Sequence, residues 1–92
     1  MTSNNDLKDK LLRAEQFIKV GKTYRHYKSA DMTYEVLALA FEEETLDLVV
    51  VYKALYGDKL TFTRPVSVWL ESVELDGVSV ARFAPIEEPS EK

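Results

Sequence analysis

The sequence contains no cysteine, and glycine and proline occur only three times each among its 92 residues. The absence of cysteine excludes disulfides, thiolate chemistry and cysteine-based zinc sites. Because small secreted domains often depend on disulfides, this absence favours a reducing compartment, and we expect a cytoplasmic protein. No apolar run approaches the roughly 18 residues of a membrane-spanning helix. The N-terminal stretch MTSNNDLKDK does not resemble a signal peptide, so we expect no membrane association.

Charge is present in both signs but is unevenly distributed. The formal net charge is −4, which counts against a dedicated DNA-binding protein. Residues 17–30 contain four basic residues and no acid, whereas residues 42–47 contain four acids and no base. The simplest interpretation is that these are two solvated segments of opposite sign. The hydrophobic fraction of 46% is that of one globular domain.

The sequence offers little for catalysis. His26 is its single histidine, and no spacing of carboxylates suggests a metal site. The three glycines lie far apart and form no phosphate-binding loop. Ser29 could pair with His26, but no nucleophile elbow surrounds it. We therefore predict no catalytic residue, no metal and no cofactor, and we favour a non-enzymatic protein without excluding an enzyme.

Hydrophobic periodicity predicts one helix followed by strands. An apolar stripe with helical spacing (Leu7, Leu11, Ala14 and Ile18) predicts a helix over residues 6–18. From Thr23 onward the period changes to two, which is typical of strands. A turn is expected at 29–31, a short helical turn after Pro65, and a hairpin at Asp76-Gly77. The predicted strands begin at Thr23 and then cover residues 34–41, 48–55, 60–64 and 80–83.

These elements predict a mainly β fold: a small five-stranded antiparallel sheet, strongly bent, or a partly open barrel of SH3-like size, with one N-terminal helix. The expected organisation is a helical extension (1–19), the β domain (20–86) and a polar tail (87–92). Both faces of the two central strands are apolar, so we expect them to be covered on both sides. The predicted core consists of Leu37, Leu39, Val49, Val51, Leu55, Phe62, Trp69 and Val73.

Several short strings resemble a bacterial family, the domain-of-unknown-function family 1653. They are RHYK at 25–28, YEV at 34–36, ETL at 44–46, VVYKALYG at 50–57, RP at 64–65, DG at 76–77 and RF at 82–83. The resemblance covers about residues 20–84 and implies a small stand-alone bacterial protein in the cytoplasm. It implies no activity.

The sequence departs from the family pattern at a few positions. Ser29 follows RHYK where the family often has glycine, and Phe62 stands where it often has tryptophan. Glu42 and Glu43 replace a frequent His-Ser pair. Because His26 is then the one histidine, an idea based on a histidine pair cannot apply to this chain.

The candidate ligand-binding residues combine arginine and tyrosine. They are Arg25, Tyr27, Tyr52, Tyr56 and Arg64, with His26 and Glu44 as possible accessories. Arg64 alternates with Leu60 and Phe62 on an apolar strand face, so its charge must reach solvent or find an acid such as Glu35 or Glu44. We favour an anion site shared by Arg25 and Arg64, with Tyr27 and Tyr52 as its walls, over such ion pairs. This requires the Arg25 and Tyr27 side of the first strand to face a groove, and the side of Tyr24, His26 and Lys28 to lie nearer solvent.

Three hypotheses follow for function. The preferred one is a small binding module in which an Arg/Tyr groove takes an anionic small molecule or an acidic peptide. The second is single-stranded nucleic-acid binding through the basic and aromatic stretch 19–28. The third is a hydrolase or isomerase that uses His26 and Glu44, which no motif supports. The protein is expected to be a monomer or a homodimer.

Overall fold

The chain folds mainly into antiparallel β-structure in the computed structural model, which describes residues 4–86. The elements in chain order are α1 (Asn4–Glu15), β1 (Thr23–His26), β2 (Ser29–Phe41), β3 (Leu48–Ala54), β4 (Thr61–Pro65), α2 (Val66–Trp69), β5 (Ser72–Leu75), β6 (Val78–Ala81) and β7 (Phe83–Pro85). The mainly β fold with an N-terminal helix is therefore confirmed. The predicted tail at 87–92 lies outside the described residues.

Five strands form the main sheet, in the order β4-β3-β2-β1-β7, and β5 pairs with β6 in a separate two-stranded sheet. All pairings are antiparallel. The main sheet does not close, so β4 and β7 are its two edges. The hairpin between β5 and β6 turns at Asp76 and Gly77, whose φ angles are 53° and 81°. This left-handed pair is what the predicted Asp-Gly turn requires.

The segment after α1 joins the N-terminal part of the chain to the sheet. Ile18 has no exposed surface and packs in the same cluster as Val36 and Val50. Ala14, on the last turn of the helix, is also buried. The predicted stripe therefore contributes its C-terminal members to the core, on the sheet face that we call the inner face (the side of Val36, Val50 and Tyr52).

A β-bulge in β2 changes which residues face the core. Val36 pairs with Tyr52, but Ala38 already pairs with Val51 and Leu39 with Val50. Cross-strand partners point to the same side of a sheet, so the inner face passes from Val36 to Leu39 and leaves Leu37 unpaired. An uninterrupted alternation along residues 34–41, as predicted from sequence, is therefore wrong.

The predicted core is wrong for most of its members. Trp69 is buried as expected, but Leu37, Leu55 and Phe62 are exposed, and the remaining four are half-buried. The reason is the phase of β3, where the alternate set of residues faces inward. The buried apolar residues of the main cluster are Ile18, Tyr24, Tyr34, Val36, Val50, Tyr52, Ala54, Trp69 and Phe83.

Candidate functional site

Strand β1 divides the basic and aromatic stretch between two faces. Tyr24 pairs with Tyr34 and is buried with it, and His26 is buried beside Phe83. Arg25, between them, is exposed. Alternation along the strand therefore places Arg25 on the outer face, opposite to the core.

The turn that follows β1 fixes the histidine ring. His26 pairs with Ser29, so the turn residues are Tyr27 and Lys28, and the predicted turn at 29–31 is wrong by two positions. The Lys28 backbone N–H donates a hydrogen bond to His26 Nδ1 at 3.2 Å. The imidazole ring lies between those of Tyr27 and Phe83, with centroid distances of 4.7 and 5.1 Å.

This environment keeps His26 neutral. Burial lowers the pKa of His26 below its ordinary value of 6.5, and the charges of Lys28, Arg64 and Arg82 act in the same direction. Because Nδ1 accepts a hydrogen bond, the proton of the neutral ring is on Nε2. Within residues 4–86, no group accepts a hydrogen bond from Nε2, so this N–H donor has no acceptor among the described residues.

Arg64 lies on the inner face at the sheet edge. Its cross-strand partner is the fully buried Val50. Its Nε donates to the Tyr52 hydroxyl at 3.3 Å, and its guanidinium carbon lies 5.3 Å from the centre of the Phe83 ring. Both contacts hold the group in place without neutralising its charge.

Neither Glu35 nor Glu44, the acids expected to pair with Arg64, forms an ion pair with it. Within residues 4–86, no acidic side chain forms an ion pair with Arg64. Glu35 pairs with Lys53 across the strands and so belongs to the outer face. The nearby Arg82 does have an acid, since its Nη2 donates to Glu71 Oε1 at 2.9 Å. Arg64 is therefore the half-buried arginine with no compensating carboxylate in the described structure.

A pair of tyrosines continues the inner face beside Arg64. The hydroxyl oxygens of Tyr34 and Tyr56 are 2.6 Å apart. Burial and this hydrogen bond raise the pKa of the Tyr34 hydroxyl well above its ordinary value of 10.0. Next to Tyr56 is a small hollow of about 150 Å³. Its walls are Ala54, Tyr56, Gly57, Asp58, Lys59, Leu60 and Phe62.

Glu44 lies in the acidic connection between β2 and β3, away from these contacts. The connection is organised by its own residues: Glu42 Oε1 accepts hydrogen bonds from the Thr45 N–H at 2.9 Å and from its hydroxyl at 3.0 Å. These bonds lower the pKa of Glu42. Glu44 itself is exposed. A role for it beside His26 has no support in the geometry.

A larger hollow, of about 660 Å³, lies elsewhere, between α1 and α2. Its walls include Ala14, Phe17, Leu48 and Val66 and are mainly apolar. None of the candidate residues lines it. Two basic residues, Lys10 and Arg13, also line it, and Lys10 donates to the Leu46 carbonyl at 3.3 Å. It is a gap between helices rather than a place where functional groups converge.

Over residues 4–86, no three side chains of His, Cys, Asp or Glu are grouped so that they could hold a metal ion. Neither helix of that range has the length and apolar character needed to cross a membrane.

Comparison with known proteins assigns the family. The model of a protein family of unknown function, DUF1653, matches residues 22–85. The chain belongs to the DUF1653 family. A crystal structure of a DUF1653 protein from Bordetella bronchiseptica is 34% identical, with a TM-score of 0.68. The match covers 84% of this chain and 97% of that one. No curated protein matches the chain.

The DUF1653 strings noted in the sequence contain most of the inner-face contacts. RHYK supplies His26, VVYKALYG supplies Tyr52 and Tyr56, and RP supplies Arg64. Sequence reasoning missed Tyr34 and Phe83 as neighbours of these residues. Both lie within resemblance strings, YEV and RF, which was the available signal.

The structure separates the candidate residues into two groups. Tyr52, Tyr56, Arg64 and His26 lie on the inner face, whereas Arg25 lies on the outer face. Tyr27 is half-buried in the hairpin turn next to His26. A site shared by Arg25 and Arg64 is therefore wrong, because the sheet lies between their side chains. The remaining set forms what we call the donor cluster, namely His26, Tyr52 and Arg64 around the Phe83 ring.

Proposed function

We propose that this DUF1653 protein is a non-enzymatic binding module that takes the carboxylate or phosphate group of a small molecule or an acidic peptide at the donor cluster. The observation that supports this most is the state of Arg64. It is half-buried and held by Tyr52 and Phe83, yet it has no carboxylate partner among the described residues. A partly desolvated cation without a counterion favours an anionic partner.

The hydrogen-bonding pattern of the cluster fits the same kind of ligand. The Tyr52 oxygen accepts from Arg64 Nε, so its own hydrogen can be donated elsewhere. His26 offers its Nε2–H, and the terminal nitrogens of Arg64 offer further donors. The cluster is therefore rich in donors and short of acceptors. Carboxylate and phosphate oxygens are acceptors only, which makes them complementary to it.

Exposed rings beside the cluster could hold the apolar part of a ligand. Tyr56 is 38% exposed and Phe62 is 44% exposed, on the inner-face side of β3 and β4. The Phe62 ring lies 5.9 Å from that of Tyr52. Exposed aromatic rings next to fixed polar groups are typical of binding sites, where the rings supply contact area and the polar groups supply orientation.

A catalytic role for His26 has less support. A general base needs an orienting partner and access to the proton that it removes. The Nδ1 of His26 is occupied by the Lys28 backbone N–H, and within residues 4–86 no carboxylate forms a hydrogen bond with the ring. The other ring nitrogen, Nε2, has no partner among the same residues; it carries the proton and can donate but not accept. This state suits binding of an anion rather than proton abstraction.

The nucleic-acid hypothesis loses most of its aromatic component, because Tyr27 alone among the rings of the stretch 19–28 is half-buried and not buried. Bases stack on exposed rings, but Tyr24 and His26 of the stretch 19–28 are buried. What remains exposed is a set of basic residues (Lys19, Lys22, Arg25 and Lys28) on a protein of net charge −4. No observation on the structure favours nucleic-acid binding over the binding of small anions. A titration with an oligonucleotide can distinguish the two functions.

The experiment compares two arginines that are matched in charge but lie on opposite faces. Benzoate and phenyl phosphate, with uncharged benzamide as control, are titrated into the wild-type protein, Arg64→Gln and Arg25→Gln. Amide NMR shifts report both affinity and the retained fold. We expect Arg64→Gln to weaken benzoate binding about tenfold, which corresponds to about 1.4 kcal/mol, and Arg25→Gln to leave it unchanged.

Two results would contradict the proposal. One is equal binding of benzamide and benzoate, since the charge would then not be recognised. The other is a loss of binding in Arg25→Gln as large as that in Arg64→Gln. A parallel titration with an oligothymidylate tests the alternative, because binding that needs Arg25 and falls steeply with salt would indicate a nucleic-acid surface instead.

A further inference from the structure

Strand β4 is an edge of the main sheet and has a neighbour on one side only, β3. Four of its five residues are exposed, and Arg64 is half-buried. No other element of residues 4–86 pairs with its free side. An exposed strand edge carries unpaired N–H and C=O groups, which is the usual template for adding a strand from another chain.

The backbone register determines which residues present these groups. The Ala54 N–H donates to the Leu60 carbonyl at 2.9 Å, just before the paired residues of β4 begin. In an antiparallel ladder, hydrogen-bonded pairs recur at every second residue. The next such pairs are therefore Tyr52 with Phe62 and Val50 with Arg64. The backbone groups of Thr61 and Thr63 then point away from the sheet.

Proline at the end of β4 agrees with this register. Pro65 falls in the same series as Thr61 and Thr63, where an N–H would point outward rather than toward β3. Proline in a sheet is found where its missing N–H is not needed by a neighbouring strand. The stretch from Thr61 to Thr63 itself has no proline, no charged side chain and no bulge. Proline, charged side chains and bulges are the features that usually prevent pairing at a sheet edge, and this stretch lacks all three.

The side chains next to this free edge select the charge of an incoming strand. Arg64 and Phe62 are two residues apart and both lie on the inner face. A strand added to β4 would place one side chain beside each of them. An acid beside Arg64 would supply the carboxylate that Arg64 does not find among the described residues. An apolar residue beside Phe62 would meet the hollow of about 150 Å³ that Phe62 lines.

We infer that the ligand of this site is an extended acidic peptide segment that adds to β4 as an antiparallel strand, with its acid opposite Arg64 and an apolar residue opposite Phe62. This inference rests on the proposed function and makes it more specific. Main-chain hydrogen bonds to Thr61 and Thr63 supply affinity, and the pair of alternate side chains supplies specificity.

The probe is a capped peptide, acetyl-Thr-Val-Thr-Glu-Thr-Val-Thr-amide, in which valines flank the glutamate on one face. With the glutamate opposite Arg64, the next threonine lies opposite Thr63 and its N–H donates to the Thr63 carbonyl. N-methylation of that threonine should abolish binding. N-methylation of the glutamate should not, because its N–H points away from β4. This alternation is specific to strand addition.

Amide hydrogen exchange provides a direct readout in the wild-type protein. The peptide should slow exchange of the Thr61 and Thr63 amides, while those of Phe62 and Arg64, already bonded to β3, serve as internal controls. Replacing glutamate by glutamine in the peptide should weaken binding about tenfold, corresponding to about 1.4 kcal/mol. The Arg64→Gln variant should bind the glutamate and glutamine peptides equally. In this double-mutant cycle the variant has no charge at position 64 with which the peptide glutamate could pair.

The outcomes separate this inference from the proposed function. If benzoate binds at Arg64 but the peptide does not protect Thr61 and Thr63, strand addition is wrong and anion binding stands. If the glutamate and glutamine peptides protect them equally, the edge binds peptides but the acidic specificity is wrong, and the inference fails. Protection that depends on protein concentration without peptide would show that a second copy takes the edge, which also contradicts it.

Discussion

The two faces of the main sheet are built from different residues. The inner face is dominated by rings: Tyr24, His26, Tyr34, Tyr52 and Phe83, with Trp69 of α2 packed against them. The outer face has smaller or charged side chains, such as Arg25, Ala38, Val49, Val51 and Lys53. Stability is concentrated on the first face because large rings bury more area and make specific contacts.

Within the inner face, the residues that pack the core lie at the centre, and the residues proposed to bind a ligand lie at the edge. At its centre, Trp69 stacks on Phe83 with ring centroids 3.9 Å apart and planes inclined by 4°. At its edge, Arg64 approaches the same Phe83 ring but has no carboxylate partner within residues 4–86. The core therefore holds the binding groups in position, and we expect substitutions at the centre and at the edge to have different consequences.

The largest effect is expected at the centre of the inner face. Trp69→Ala should lower the free energy of unfolding by about 3–5 kcal/mol, because it leaves a cavity beside Phe83, Tyr24 and Tyr52. In a domain of this size that is a large part of the total stability. Urea denaturation followed by circular dichroism measures the change. A loss below about 1 kcal/mol would show that the ring cluster is not the core.

A pair of neighbouring valines compares the two faces directly. Val50 has no exposed surface, whereas Val51 is half-buried on the outer face. Removing two methyl groups by Val50→Ala should cost about 2 kcal/mol, and Val51→Ala less than about 1 kcal/mol. Denaturant midpoints of the two variants measure the two losses of stability. Equal losses would mean that the outer face is also covered, for example by a second copy.

The buried histidine should make stability depend on pH in a defined direction. Burial lowers the pKa of His26 in the folded protein below the ordinary value of 6.5. The unfolded chain therefore binds a proton more readily, and stability decreases as the pH falls through the interval between the two values. This contribution is fully present above the unfolded value.

The test for His26 compares the pH dependence of unfolding in the wild type and in His26→Gln. The difference between the two curves should be flat above the ordinary pKa of 6.5 and should change only below it. Taking the difference removes the contributions of carboxylates such as Glu42. Parallel curves over the whole range would show that His26 is exposed in solution.

The smallest effect on stability is expected on the outer face. Arg25 is exposed and, among the described residues, makes no ion pair. Arg25→Gln should therefore change the free energy of unfolding by no more than about 0.5 kcal/mol. Thermal unfolding would measure this. A clearly larger loss would indicate that the outer face takes part in a contact of its own.

Local signals in the sequence predicted the elements well. The helical stripe, the Asp-Gly turn and the short helix after Pro65 all depend on near neighbours, which periodicity and turn chemistry report directly. The phase of β2 and β3 could not be obtained in this way. Both faces of these strands are apolar, and the bulge at Leu37 has no local signature, so nothing in the sequence distinguished Val50 from Val51.

The candidate site could be predicted only where it depends on residues that are near each other in sequence. Tyr52 and Arg64 lie on the adjacent strands β3 and β4, and Tyr56 lies in the connection between these strands, so their association follows from short-range pairing. The prediction that Arg25 faces the groove while Tyr24 and His26 lie nearer solvent is wrong, because the structure buries Tyr24 and His26 and exposes Arg25. Phe83, which connects His26 to Arg64, is brought in by the pairing of β7 with β1. That contact is distant in sequence and becomes visible in the fold.

One NMR titration tests the central claim, that the inner-face edge binds anions and the outer face does not. The side-chain Nε–H signals of Arg25 and Arg64 are followed in a single wild-type sample as benzoate is added. Each arginine serves as the control for the other, with no change of sequence. We expect a saturable shift of the Arg64 signal and none of the Arg25 signal. Equal shifts of both signals, or a shift of Arg25 alone, would contradict it.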